Sequence, residues 1–81
     1  MTATASNTGA PARALFVRVG ETLYGERWQH RMALGLGVSV RIVRYWSAGE
    51  RGIPESRWLE IDTLLDLQAT ELRKLRRQIA R

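Results

Sequence analysis

The stretch that decides the fold is QHRMALGLGVSVRIVRYWSAG, residues 29–49. Ala33 supplies the small side chain needed where two helices cross. Gly37, four positions later, tolerates the positive φ with which a chain leaves one helix for the next. The apolar residues around them have the spacing of two helices that share an inner face: Met32, Leu36, Val38, Val43 and Trp46. Residues 29–49 therefore predict two short, packed helices joined by a tight turn.

Residues 38–46, VSVRIVRYW, allow two interpretations. Four of the nine are β-branched, so propensity alone favours a strand. In the helical interpretation, Ser39 is a good N-cap, Val43 and Trp46 form an i, i+3 pair, and Gly49 ends the helix. We favour a helix over 39–48, because the flanking segments fit only with it.

The segments on the N-terminal side predict two helices and a tail. Residues 13–24 repeat apolar groups with helical spacing at Leu15, Phe16, Val19 and Leu23, despite Gly20. A second helix is expected over residues 28–36, beginning with Trp28. Residues 1–12 carry no charged side chain and are expected to form a disordered tail.

Residues 54–81 contain no glycine and, after Pro54, no proline, which predicts one long amphipathic helix. The residues at alternating intervals of three and four form a heptad stripe: Trp58, Ile61, Leu65, Gln68, Leu72, Leu75 and Ile79. Leu59, Leu64 and Leu67 widen the apolar surface of the first half. We expect the first half to pack on residues 13–53 and the second half to pair with another subunit. The predicted dimer interface is Leu65, Gln68, Leu72, Leu75 and Ile79.

Composition bounds the class of protein. Eighty-one residues allow one domain, and zero cysteines exclude disulfides, thiolate zinc sites and thiol catalysis. One histidine cannot build a multi-histidine metal site, so no metal or cofactor is expected. No phosphate-binding loop or nucleophilic triad is present, and the acidic residues of 55–66 lie on one helix, which predicts a non-enzyme. No segment resembles a signal peptide or a membrane span, so a cytoplasmic protein is expected.

The charge of the chain alternates along its length. Residues 13–52 hold seven arginines and three glutamates, residues 53–70 hold one arginine and four acids, and residues 71–81 hold five bases and one acid. A parallel homodimer would place two basic ends side by side. An antiparallel pair centred near Gln68 would instead bring Asp62 and Asp66 close to Arg73, Arg76 and Arg77. We therefore expect an antiparallel or crossed pair, weakened by charge reversal of those arginines.

Residues 29–49 resemble the lambda-repressor/Cro-like (XRE-type) helix–turn–helix family of small bacterial and phage regulators. The likeness rests on Gln29, Met32-Ala33, Leu36-Gly37-Val38-Ser39, Val43-Arg44-Tyr45-Trp46 and Gly49, and it covers about residues 15–67. It implies an all-α fold of about four helices, with residues 13–53 as a DNA-binding domain and residues 54–81 as the long helix. A strand at 38–46 would make a ribbon–helix–helix fold the rival.

The resemblance also implies that residues 39–48 lie in the DNA major groove. The base-reading residues would be Val40, Arg41 and Arg44, with both arginines donating to guanine. The candidate contacts to the DNA backbone are Arg27, Gln29, Arg31, Ser39, Tyr45, Ser47 and Arg51. Trp28, Trp46 and Trp58 are expected in the core, and His30 in solvent.

The expected function is that of a homodimeric, sequence-specific repressor on an inverted-repeat operator in double-stranded DNA. Repression of its own operon is what the family resemblance suggests. Two other classes of function are retained. One is an antitoxin or adaptor whose C-terminal helix binds a protein partner. The other is a packaging or recombination accessory factor that binds DNA with little sequence preference.

Overall fold

The computed structural model describes residues 9–80, and over this range the chain forms four α-helices and no strand. They are α1 (Gly9–Tyr24), α2 (Trp28–Leu36), α3 (Val40–Ala48) and α4 (Glu55–Ala80). The predicted all-α class is confirmed, and so is the helix in place of a strand after Gly37. Within the described residues, no helix is both long enough and apolar enough to cross a lipid bilayer.

The first helix begins earlier than the sequence predicts. Helix α1 starts at Gly9, so residues 9–12 of the predicted tail are helical, while residues 1–8 lie outside the described part of the chain. Its buried face contains Ala12, Phe16 and Val19, whereas Leu15 is 47% exposed. The predicted stripe is therefore wrong at Leu15, because Ala12 and not Leu15 turns towards the other helices.

Backbone hydrogen bonds fix the turn between α2 and α3. Gly37 has φ 70°, and its N–H and that of Val38 donate to the carbonyls of Leu34 and Ala33, which closes the end of α2. Two residues later, the Ser39 hydroxyl oxygen accepts from the Ile42 N–H at 3.2 Å and caps α3. These local bonds start a helix where β-branched residues alone would favour a strand.

An aromatic cluster holds the first three helices together. The Phe16 ring of α1 lies edge-on to Trp28 of α2 at 5.4 Å and to Trp46 of α3 at 5.7 Å between ring centroids. Met32 and Val43 are fully buried beside it. The core of the described residues contains no buried charged or polar side chain, so burial of apolar surface is its main source of stability.

Helix α4 packs on α2 through one side of its first half. Ile61 is fully buried, and Trp58, Leu64 and Leu65 pack against the core with partial burial. The predicted role of Leu59 and Leu67 in widening this contact is wrong, since they are 74% and 62% exposed. Their positions on α4 place them on the side away from α2.

Arg57 fixes the start of α4 to the end of α2. Its Nη1 donates to the carbonyl oxygen of Leu36 at 3.1 Å and to the Glu60 carboxylate at 2.7 Å. Leu36 is the last residue of α2, where unpaired carbonyls give the helix end a partial negative charge. Arg57 therefore neutralises this helix end and sets the position of α4.

Replacing Arg57 with methionine should lower the free energy of unfolding by about 1–2 kcal/mol, because it removes a charge-assisted hydrogen bond and keeps the apolar stem. Urea unfolding followed by circular dichroism measures this change. Lys74→Met, at an exposed position of the same helix, should leave the midpoint nearly unchanged. Equal midpoints for the two variants would show that the Leu36 contact contributes nothing.

Candidate nucleic-acid interface

Helix α3 presents its two arginines on the side opposite the core. Val43 and Trp46 are buried, and Arg41 and Arg44 are exposed. The two arginines are three positions apart and thus lie near each other on the helix surface. A guanidinium on such a helix can donate two hydrogen bonds to a guanine edge or to a phosphate.

The segment that contains α2 and α3 carries charged side chains of one sign. Residues 27–48 contain Arg27, Arg31, Arg41 and Arg44 but no aspartate or glutamate, and all four arginines are exposed. His30 is also exposed, as predicted. An exposed, uncompensated basic surface attracts polyanions, and the attraction decreases as salt is added.

The start of α2 has no side-chain cap. Arg27 occupies the N-cap position with φ −100° and ψ 56° and makes no capping hydrogen bond, and the first turn holds no acidic residue. The first N–H groups of a helix lack partners within the helix and favour an anion. Gln29 is half-buried in this first turn, and Arg31 follows it on the exposed surface.

The structure brings Tyr45 and Arg51 together. The Arg51 guanidinium carbon lies 4.7 Å from the centroid of the Tyr45 ring. This cation–π contact joins the end of α3 to the following loop and limits the positions that the guanidinium can take. The sequence predicts that both residues contact the DNA backbone. It does not predict that they contact each other, because residues six positions apart are not neighbours in a helix or along a strand.

Three other predicted DNA contacts differ in which groups of their side chains remain free to contact DNA. The Ser47 hydroxyl donates to the Val43 carbonyl at 2.7 Å, so its proton is used within the helix, and its role as a contact to the DNA backbone stays a prediction. The Ser39 oxygen accepts at the cap, which leaves its proton available. Val40 packs partly against the core, so only part of its side chain can contact a ligand.

The predicted dimer surface divides into two parts. Leu65 packs partly on the chain's own core, whereas Gln68, Leu72, Leu75 and Ile79 are exposed. In the antiparallel register centred on Gln68, Leu75 of the partner would meet Ile61, which is fully buried against the domain. The side of α4 that this register would use therefore already packs on α2, and the antiparallel or crossed pair stays a prediction.

The described residues contain no group of three histidine, cysteine, aspartate or glutamate side chains that could hold a metal ion. Comparisons with family models, with curated proteins and with solved structures find no match to this chain.

Proposed function

We propose that this protein is a sequence-specific DNA-binding regulator that inserts α3 into the major groove. The observation that carries the proposal is the pair of exposed arginines on α3, on a rigid two-helix unit without a single acidic residue between positions 27 and 48. The uncapped start of α2 would hold a phosphate through its N–H groups, with Arg27 and Arg31 beside it. Arg51, oriented by Tyr45, would contact the backbone on the other side.

In this proposal, Arg41 and Arg44 read bases, and Val40 adds a small apolar contact. Binding at a promoter would exclude polymerase, which makes repression the simplest regulatory outcome. More than one copy would act together on the DNA. Whether selected half-sites are inverted or in direct order then reports how the copies are arranged.

Selection from random duplex DNA at physiological salt tests the proposal. We expect enrichment of one motif with repeated half-sites. Absence of any enrichment would instead support the non-specific accessory factor. Purification of a stable protein partner bound over residues 65–81, without DNA enrichment, would support the adaptor.

Arg41→Ala and Arg44→Ala should each weaken binding to the selected site by about 1–3 kcal/mol, or about five- to 150-fold, and relax the base preference at one position. Fluorescence anisotropy with the selected duplex and a scrambled duplex measures both effects. Lys74→Ala, which removes one positive charge from the far end of α4, is the matched control. Equal losses on both duplexes would make the arginines phosphate contacts and contradict base reading.

A further inference from the structure

Helix α4 carries two exposed surfaces that complement each other. The tail surface comprises Leu72, Leu75 and Ile79, which are 51%, 47% and 84% exposed, with Arg76 beside them. The back surface comprises Leu59, Asp62, Thr63, Asp66 and Leu67, all exposed. One surface is apolar and basic, and the other is apolar and acidic.

The two surfaces lie on opposite sides of α4. With 3.6 residues per turn, Leu72, Leu75 and Ile79 continue the side that buries Ile61 against α2, whereas Leu59, Thr63 and Asp66 point the other way. The core therefore covers one side of the first half of the helix. On the second half of α4, none of residues 11–71 buries this same side.

The apolar and charged groups of the two surfaces match in spacing. Leu59 and Leu67 are eight residues apart, and Leu72 and Ile79 are seven apart, which is about 12 Å and about 10 Å along a helix. Asp62 and Asp66 make no ion pair with residues 11–80, and Arg76 likewise has no acidic partner there. Arg73 donates to the Thr70 hydroxyl of its own helix at 3.2 Å, which leaves it other donors.

We propose that the tail surface of one copy binds the back surface of a second copy, in a parallel, head-to-tail arrangement. A shift of about 13 residues, or about 20 Å, sets Leu72 beside Leu59 and Ile79 beside Leu67 of the next copy. The same shift sets Arg76 beside position 63 of the next copy, between Asp62 and Asp66. The basic ends of neighbouring copies are then separated along the axis and do not face each other.

The parallel direction follows from what already covers α4. In an antiparallel arrangement, the rest of the second copy's α4 would run along the side of the first copy's α4 that holds Ile61 and Leu65, and α2 already covers that side. In a parallel arrangement, the rest of the second copy's α4 extends past the C-terminal end of the first copy's α4. Because each copy then uses one surface and leaves the other open, the contact is heterologous and extends from copy to copy.

Sedimentation velocity of the full chain without DNA, at concentrations up to about 1 mM, tests this inference, since so small an interface forms only weakly. We expect species larger than a dimer that grow with concentration and decrease with added salt. A chain that stays monomeric, or stops at a closed dimer, would overturn the arrangement. The measurement omits DNA, so its failure leaves the proposed function standing.

Paired variants at exposed leucines give the sharpest test. Leu59→Gln/Leu67→Gln removes the back surface, and Leu72→Gln/Ile79→Gln removes the tail surface. Each variant alone should be monomeric, whereas an equimolar mixture should form a one-to-one complex that stops at two copies. Wild-type assembly by either variant alone, or no complex in the mixture, would contradict the proposal. Circular dichroism of each variant confirms that the helices are intact.

A charge pair tests the register. Arg76→Glu should lower the association constant by about tenfold or more, because like charges then face each other. Lys74→Glu changes the net charge equally on the opposite side of the helix from Arg76, and it should have a much smaller effect. Equal losses in the two variants would show that net charge, and not this contact, governs assembly.

Discussion

Replacing Phe16 with alanine should destabilise the protein by about 3–5 kcal/mol, the range for truncation of a fully buried aromatic ring. The ring contacts one tryptophan from α2 and one from α3, so the variant leaves a cavity where three helices meet. It also loses two edge-to-face contacts, each worth about 0.5–1.5 kcal/mol beyond burial. A chain of this size has a total stability of roughly 4–12 kcal/mol. The loss therefore removes much of it.

Urea unfolding followed by tryptophan fluorescence measures this effect. Leu15→Ala is the matched control, because it removes a similar apolar side chain from the same helix at a position that is 47% exposed. We expect the control to cost less than about 1 kcal/mol. If both variants unfold at the same urea concentration, Phe16 does not join the three helices in solution.

Replacing Gly20 with alanine should destabilise the protein by about 2–3 kcal/mol, although alanine is the better helix former by about 1 kcal/mol. A Cβ at this position would lie 2.0 Å from Cε3 of Trp28 and 2.4 Å from Cδ2. The indole is rigid and buried against Phe16, so it cannot turn aside without opening the core. Helix α1 or Trp28 must then shift.

Gly35→Ala is the control for this second prediction. Gly35 is also helical, but the atoms nearest to its added Cβ are the Tyr24 hydroxyl at 3.2 Å and a Leu64 methyl at 3.4 Å, both at the ends of flexible side chains. Thermal unfolding should place Gly35→Ala near the wild type and Gly20→Ala well below it. A Gly20→Ala variant as stable as the wild type would mean that Trp28 does not pack on α1.

Local signals made the helix–turn–helix predictable from the sequence. Gly37, Ser39 and Gly49 act through hydrogen bonds to residues within five positions, so the sequence contains most of what decides where α2 ends and α3 begins and ends. The same signals outweigh the β-branched residues of α3, since Val43 is buried in the helical core and Val40 and Ile42 pack partly against it. The exposed positions of Arg41 and Arg44 follow from the burial of Val43 and Trp46.

Contacts between distant segments were not predictable in this way. Gly20 weakens a helix when α1 is considered alone, and its role appears only when Trp28 is placed against it. Arg57 and the Leu36 carbonyl are 21 residues apart, and no periodicity connects them. The exposure of Leu59 and Leu67 depends on the direction from which α2 approaches α4. A leucine on an amphipathic helix does not reveal which neighbour covers it.

The closed end of α2 has a consequence for anything that meets α3. Two hydrogen bonds at Gly37 and the Phe16 cluster fix the direction of α3 relative to α1 and α2. A change in the direction of α3 on contact would have to break these bonds and ring contacts, whereas its exposed arginine side chains can change rotamer without breaking them.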